Sequence, residues 1–395
     1  MMQNIKVFSF CNFFIALWII YNLQALFFGV QGTLYSRLIL LFLLVVSFYY
    51  FAYTLFHYRI PQYLKGLTLL LLVLIAYGLI YMLGSVGKVR QAYLQSILIS
   101  LLPIFPFYVF TRQGKLNLKT LRWWIIVFVI ATTVEFFQVQ QRTIQVKMMD
   151  EDAEMVNNVG YIFLSIMPLL AFYSRKKIIM YAGLVYLAVF ILLAMKRGAL
   201  LIGVVIVLWM IYSTLKESKG IRKIGTFLLT LFLFFLLVSF ARELLSTSDL
   251  FNARIENTME GDSSGRDYIY STLWNHFLYD STILQQLFGN GAEATVRIAH
   301  IHAHNDWLEL MINQGLLGII VYLVYWYRFF NTCKSSKFDD ELFLAMSTLF
   351  IIYFLKTLFS MSYSNVSIYS AICLGYCLGL ISNSEKKSYI QTEDS

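Results

Sequence analysis

The sequence predicts an all-α fold: a polytopic membrane helix bundle of about 12 transmembrane helices with one large extracytoplasmic loop containing short helices. Hydrophobic residues make up 59% of the 395 residues and charged residues only 13%, whereas an ordinary soluble domain carries about 25% charged residues. Apolar runs of the roughly 20 residues that cross a bilayer recur from end to end of the chain. These observations exclude an ordinary soluble protein.

Twelve apolar segments are the predicted spans, and charged or polar residues separate them. In chain order they are 8–28, 36–56, 64–84, 93–111, 121–139, 157–173, 178–194, 199–215, 222–241, 307–330, 342–359 and 363–381. The first run is too long for the apolar part of a signal peptide and no small-residue cleavage site follows it, so we expect it to remain as a helix.

The distribution of Lys and Arg predicts that both termini are cytoplasmic, because cytoplasmic loops carry the excess of basic residues. With an even number of spans, nineteen of the 31 basic residues lie on the cytoplasmic side and twelve on the outer side. Four of those twelve lie in the long loop 242–303, which the rule does not count. The net charge of +9 therefore reflects membrane topology, and no nucleic-acid partner is needed to explain it.

Two groups of charged residues near the outer side have open roles. The acidic run 150–154 lies in the outer segment 140–156, and we interpret it as a solvated cap on a helix pair, with substrate binding as the alternative. Lys356 and Glu135 stand near the outer ends of the eleventh and fifth predicted spans. Charged residues within spans indicate functional sites by default, and these two are candidates for a pair.

The long loop contains a predicted amphipathic helix. Ile269, Leu273 and Phe277 recur at helical spacing, which is typical of a helix on or near the membrane surface. Ser263 or Ser264 is its expected N-cap.

Arg266 lies in the first turn of this predicted helix, where the helix dipole disfavours a cation. Its position is explained if an anion such as a phosphate shares the site. The alternative is a surface arginine paired with Asp262 or Asp267.

A second basic feature, Lys196-Arg197-Gly198, interrupts the apolar run from 178 to 215. It falls at the outer face, against the positive-inside trend. Taken locally, the pattern favours a turn whose charged side chains extend to the membrane interface.

Three of the five histidines, His300, His302 and His304, fall within five residues. A metal site is the weaker interpretation, because no zinc-binding pattern accompanies them. We interpret Asp306 and Glu309 as the N-cap and N3 residues of the tenth span. The positive potential of that helix N-terminus favours a neutral His304, the form that a general base requires.

The motifs described above resemble those of the O-antigen ligase and O-antigen polymerase superfamily. His304-Asn305, nine residues and then Gly315-Leu316-Leu317-Gly318 match that family's H-[NSQ]-x9-G-x2-[GTY] pattern. The segment Ser264–Trp274 with Arg266 is similar to the family's Gly-Arg segment, and Lys196-Arg197-Gly198 is similar to its Ser-Arg-Gly motif, with Lys196 in place of the serine.

The resemblance divides the chain into three regions. The N-terminal transmembrane helices occupy 1–177, and an O-antigen ligase or polymerase-like core with the extracytoplasmic loop 242–305 occupies 178–330. The C-terminal transmembrane helices and a short cytoplasmic tail occupy 331–395. The four cysteines indicate no disulfide framework.

The resemblance implies a metal-independent glycosyltransferase without a cofactor in the bacterial cytoplasmic (inner) membrane, with its active site on the extracytoplasmic side. The donor would be an undecaprenyl-diphosphate-linked glycan, and the acceptor a glycan or lipid A-core among the membrane lipids. Arg197 and Arg266 would bind the diphosphate, His304 would accept the proton of the attacking hydroxyl, and Asn305 would hold the histidine loop at the substrate site. Gly315 and Gly318 would allow close helix packing.

The main alternative is a polytopic transporter or lipid-linked glycan flippase, because about twelve spans also fit those proteins. Transporters of the major-facilitator type are built from two similar halves. In this sequence the long loop follows the ninth predicted span, so the two halves differ, which favours the transferase.

Overall fold

The computed structural model describes residues 9–28, 32–83, 91–149, 156–217 and 265–393, together with the short stretches 220, 223–228, 230–232, 235, 239 and 242–243. Over this part of the chain the regular structure is helical, and no strand occurs in it. The acidic run 150–154, Ser263, Ser264 and much of the ninth predicted span lie outside the described residues.

The helices are labelled here in chain order. They are α1 Phe10–Asn22, α2 Gln24–Phe28, α3 Leu34–His57, α4 Gln62–Leu83, α5 Gln91–Leu101, α6 Ile104–Arg112, α7 Leu118–Met149, α8 Gly160–Ile166, α9 Lys177–Leu193, α10 Arg197–Glu217, α11 Arg266–Asn275, α12 Ile283–Phe288, α13 Ala294–Ala299, α14 Asp306–Ser335, α15 Asp340–Phe359 and α16 Ile368–Glu393. A 3₁₀ segment, Met167–Tyr173, continues α8, and a π-helical turn, His276–Asp280, follows α11.

Among the described residues, seven helical units are long and apolar enough to cross a membrane: α3, α4, α5 with α6, α7, α10, α14 and α15. The protein is thus an all-helical integral membrane protein. Three further predicted spans coincide with the shorter apolar helices Phe10–Asn22, Gly160–Tyr173 and Lys177–Leu193. The count of about 12 spans stays a prediction.

The longest helix among the described residues, α7, reaches well beyond its predicted span. The sequence predicts a span over 121–139, whereas the helix runs from Leu118 to Met149 over 32 residues. At 1.5 Å per residue that is about 48 Å, more than the roughly 30 Å of hydrocarbon. The helix continues past the predicted span because residues 140–149 contain no glycine or proline that would stop it.

Glycines set the closest helix contacts of the core. A Cβ on Gly375 of α16 would lie 2.6 Å from Cβ of Phe107 in α6, and one on Gly66 of α4 would lie 3.2 Å from Cα of Tyr325 in α14. The hydroxyls of Tyr63 and Tyr325 are 2.9 Å apart beside the second contact. Small residues let backbones approach closely inside membranes, where packing and polar contacts stabilise helix pairs.

The tenth predicted span, α14, is broken at Gly315, whose φ of 65° and ψ of −158° are not helical. Above the break, the carbonyls of Ile312 and Asn313 accept hydrogen bonds of 2.8 and 3.0 Å from the amides of Asn290 and Gly291 in the loop. Backbone groups freed within a membrane helix must find other partners. Gly315 allows a close backbone approach, as the sequence interpretation proposed. The approaching segment is the loop, however, and the helix is interrupted at this residue.

Candidate active site

A cavity of about 650 Å³ opens near the beginning of α14, and its walls come from distant parts of the chain. Its polar and charged lining residues are Glu135, Asn158, Tyr161, Lys196, Arg197, Arg266, His304, Ser360 and Asn365. The three residues predicted to act on substrate, Arg197, Arg266 and His304, all lie on this one cavity. They are separated by up to 107 positions in the sequence (304 − 197), so only the fold brings them together.

Arg197 is placed by the turn that the sequence predicted between two apolar helices. Helix α9 ends at Leu193, Met195 adopts a φ of 52°, and α10 begins at Arg197 itself. A left-handed backbone at a non-glycine residue costs of order 1–3 kcal/mol. The turn orients both Lys196 and Arg197 toward the cavity.

Arg266 is the first residue of α11, in the first turn as predicted. The N-cap position is occupied by Gly265, with a φ of 75° and no side-chain cap, so the predicted serine N-cap is wrong. Glycine reaches this left-handed conformation without the steric cost that a serine would pay.

The apolar face of α11 packs on the protein. Ile269, Leu273 and Phe277 are buried in a cluster with Met311 and Ile312 of α14. The predicted apolar stripe is confirmed, and its packing partner is the apolar surface at the beginning of α14. Arg266 is thereby attached to the same rigid unit as the histidine loop.

His304 lies in the loop before α14, half-buried, with a φ of 52°. Burial lowers the pKa of His304 below its usual value of 6.5, and the positive charge of Arg266, the neighbouring His302 and then Lys196 lower it further. Both effects disfavour the imidazolium. Burial is the larger cause and the cations of the cavity add to it, so the environment favours the neutral histidine expected from the sequence.

Glu309 organises this loop, a role that the sequence did not reveal. Its buried carboxylate accepts hydrogen bonds from Thr295 Oγ1 at 2.6 Å, from the amide of Ala303 at 2.9 Å and from Asn313 Nδ2 at 3.1 Å. Nδ1 of His302 lies 3.3 Å from the same carboxylate. The predicted capping box was therefore wrong: Glu309 is directed into the loop and not toward the N-cap amide.

Asp306, the predicted N-cap, is instead the first residue of α14 and is fully buried. Its carboxylate accepts hydrogen bonds from the hydroxyl of Tyr322 at 2.5 Å and from the amide of Ser362 at 2.8 Å. It therefore ties the beginning of α14 to the segment that carries Ser360 and Asn365 on the cavity wall.

Asn305 occupies the N-cap position of α14. Its Oδ1 accepts the amides of Trp307 and Leu308 at 3.0 and 3.1 Å, and asparagine is among the best N-cap residues. It borders a separate apolar groove of about 470 Å³ formed with Tyr270 and Trp274 of α11. The structure thus gives Asn305 the loop-holding part of its predicted role and places it on the groove beside the cavity.

Lys356 and Glu135 do not form the pair considered from the sequence. Nζ of Lys356 donates to the carbonyl of Asn365 at 2.6 Å and lies 5.3 Å from the ring centre of Tyr161. Glu135 lines the cavity on α7. Lys356 thus supports the 360–365 segment, whereas Glu135 belongs to the cavity wall.

The three histidines do not share a site. His302 contacts Glu309, His304 lines the cavity, and His300 is exposed. Among the residues that the structure describes, no group of three or more His, Cys, Asp or Glu side chains is arranged to hold a metal ion.

A comparison with protein families finds one match, to the family described as O-antigen ligase, over residues 182–323. The matched segment contains Arg197, Arg266, His304 and Gly315. Glu135, Tyr161 and Asn365 of the cavity wall lie outside it. No curated protein matches the chain.

Proposed function

We propose that this protein transfers a glycan from an undecaprenyl-diphosphate carrier to an acceptor hydroxyl, and the match of residues 182–323 to the O-antigen ligase family supports the proposal. The acceptor is a growing glycan in a polymerase of O-antigen, capsule or exopolysaccharide, or lipid A-core in a ligase. The observation that carries the proposal is the single cavity on which Arg197, Arg266 and His304 meet.

The arginines bind the diphosphate of the donor. A guanidinium offers paired donors that match phosphate oxygens. Arg266 also stands at the N-terminus of α11, where the backbone amides can donate to the same phosphate. As the bond from the sugar to the diphosphate breaks, its electron pair moves to the leaving oxygen. Positive charge placed there beforehand stabilises the transition state, so these guanidinium groups supply the charge that a divalent metal supplies in other transferases.

His304 accepts the proton of the attacking hydroxyl. The acceptor oxygen forms the new bond to the reducing-end sugar carbon, the proton moves to the neutral imidazole, and the lipid diphosphate leaves. A neutral imidazole is required at the start, and the lowered pKa of His304 keeps it in that form at neutral pH.

The proposal includes the membrane arrangement inferred from the sequence. About twelve spans place both termini in the cytoplasm and the cavity at the outer face of the bacterial inner membrane. Residues 1–177 and 331–395 then flank the core 178–330 with its outer loop 242–305. The positive-inside distribution of Lys and Arg supports this orientation.

The test is complementation of a polysaccharide-negative host that lacks its own transferase. Wild type restores product, whereas Arg197→Ala, Arg266→Ala and His304→Ala, at matched membrane levels, each reduce transfer by roughly a hundredfold or more. A ladder of repeat units identifies a polymerase, and a single transferred unit identifies a ligase.

Two control variants match these changes in residue type. His300→Ala alters an exposed histidine of the same loop, also with positive φ, and Arg142→Ala alters an exposed arginine of α7. Neither residue lines the cavity, so both variants complement as wild type does. If the three cavity variants also complement fully, the transferase proposal is wrong, and assays of lipid-linked glycan transport are the next step.

A further inference from the structure

The charges around the cavity are unevenly distributed. Lys196, Arg197 and Arg266 supply cations, and Glu135 is the sole carboxyl group among the described residues that line it. Val139, one helical turn after Glu135 on α7, lines the cavity as well, so this face of α7 is a continuous part of the wall. Glu135 takes no part in the chemistry assigned above to the arginines and His304.

The carboxyl group of Glu135 is incompletely satisfied within the protein. Its Oε2 atom is buried and has no hydrogen-bond partner among the described residues. A buried polar atom without a partner is unfavourable, and such atoms in native proteins call for an explanation. A ligand that brings a hydrogen-bond donor into the cavity supplies one.

The chemistry of the carboxyl group restricts what that ligand group is. A diphosphate is repelled by a carboxylate and attracted by the three cations, so the donor's anionic part is not the partner. Sugar hydroxyls are neutral donors that carboxylates accept well. Tyr161, Ser360 and Asn365 on the same cavity add neutral hydrogen-bonding groups of the kind that sugars use.

Two sugars enter the reaction, and electrostatics assigns Glu135 to one of them. The donor's reducing-end sugar is covalently joined to the diphosphate and must stay near the arginines. Negative charge grows on that diphosphate during transfer, and a nearby carboxylate would oppose it. The remaining space, next to Glu135, suits the acceptor.

We propose that Glu135 accepts a hydrogen bond from a hydroxyl of the acceptor glycan and thereby positions the acceptor for attack. This inference rests on the proposed function and adds an acceptor-binding residue to it. The residue comes from α7, outside the segment 182–323 that the family comparison matches.

The test measures binding to the full-length protein in lipid nanodiscs with two probes. One is undecaprenyl diphosphate bearing a single N-acetylglucosamine. The other is the acceptor glycan released by mild acid, which is the repeat-unit glycan of the host for a polymerase or the core oligosaccharide for a ligase. Glu135→Leu weakens binding of the released glycan roughly tenfold or more, as expected for a lost hydrogen bond to a charged group. It leaves binding of the lipid diphosphate within twofold of wild type.

Further variants separate this inference from the proposed function. Glu135→Gln keeps one acceptor oxygen and weakens glycan binding less than Glu135→Leu does, and Asp340→Asn, at an exposed acid of α15, has no effect. Arg266→Ala weakens binding of the lipid diphosphate only; if it does not, the donor assignment of the proposed function fails, whatever Glu135 does.

The inference is overturned by any of three results, provided that thermal melting shows folded protein. The first is that Glu135→Leu binds the released glycan as wild type does. The second is that it weakens the binding of both probes equally. The third is that wild type does not bind the released glycan at all. Saturating lipid-linked probe displacing the glycan from wild type would also overturn it, because that result assigns the sugar to the donor position.

Discussion

At the scale of single residues, His304 combines a left-handed backbone with basic neighbours. Burial lowers its pKa most, the charges of Arg266 and Lys196 lower it further, and Glu309 opposes them. A histidine with a lowered pKa stays neutral to lower pH than a free histidine, so the base form is retained on mild acidification.

This gives a pH prediction for transfer by purified protein. The acidic limb of kcat/KM falls below the usual histidine pKa of 6.5, because activity is lost only when His304 becomes protonated. Lys196→Gln removes one positive charge, raises the pKa of His304 and moves the limb to higher pH. An unchanged limb in Lys196→Gln, with transfer still measurable, would show that a group other than His304 controls it.

A second residue-scale prediction concerns Glu309. Glu309→Leu leaves the Thr295 hydroxyl, the Ala303 amide and the Asn313 amide without their buried acceptor, at about 1–3 kcal/mol for each group. We expect a lower melting temperature and loss of transfer, because the histidine loop loses its anchor.

The matched comparison is Glu309→Gln, which keeps one acceptor oxygen for part of this network. We expect a smaller decrease in melting temperature and a smaller loss of transfer than in Glu309→Leu. Equal melting temperatures for wild type and Glu309→Leu would contradict the structural role given to this carboxylate.

The three residues that meet on the cavity could be named from the sequence. Arg197, Arg266 and His304 each lie in a short motif, and a short motif can be recognised without knowledge of the fold. Glu309 and Asp306 were misassigned because a capping box and a buried tertiary anchor share the same local spacing, and only the position of Thr295 or Ser362 distinguishes them.

At the scale of elements, the interrupted helix α14 decides how the loop is attached. Gly315 adopts a φ of 65°, and a Cβ there would lie 2.5 Å from the amide nitrogen of Gly289. The same spacing of glycines in an unbroken helix would predict only close packing. The sequence shows the glycine but not the break, since the break depends on loop residues some 25 positions earlier (315 − 290).

The element-scale prediction is that Gly315→Ala destabilises the protein. Alanine disfavours positive φ, and its methyl group meets loop backbone that cannot move aside cheaply, so we expect a loss of roughly 2 kcal/mol or more in unfolding free energy. Gly203→Ala in α10 is the control: its Cβ would meet nothing closer than 3.5 Å, and alanine favours helix by about 0.5–1 kcal/mol. Thermal melting in the same detergent should therefore move in opposite directions for the two variants.

At the scale of the whole molecule, the proposed topology assigns one end of the helix bundle to the cytoplasm and the other end to the outer side of the membrane. The four native cysteines are free and buried, so a membrane-impermeant maleimide has little to react with in wild type. Single cysteines placed at exposed positions can therefore report the side of each end.

Tyr279→Cys in the loop after α11 should be labelled in intact cells, whereas Arg175→Cys between the 3₁₀ segment and α9 should be labelled only after permeabilisation. Tyr279 and the side chain of Arg175 are 80% and 81% exposed, which makes the two sites comparable in reactivity. Labelling of Arg175→Cys in intact cells would reverse the proposed orientation.

The fold class, an all-helical membrane protein, could be predicted from the sequence because hydropathy identifies membrane helices directly. The composition of the cavity was not, since Glu135, Tyr161 and Asn365 reach it from α7, α8 and the segment before α16. No sequence spacing relates these residues to His304.

The division of the cavity wall has a consequence for protein engineering. Residues 182–323 supply the cations and the histidine, while the neighbouring helices supply the carboxyl and the neutral polar groups. Under the proposed function, a chimera that receives segment 182–323 from another protein of the O-antigen ligase family would combine the donor-binding residues of one parent with the acceptor-binding residues of the other. Under the proposed function, such exchanges offer a route to change which acceptor is used while keeping Arg197, Arg266 and His304 together.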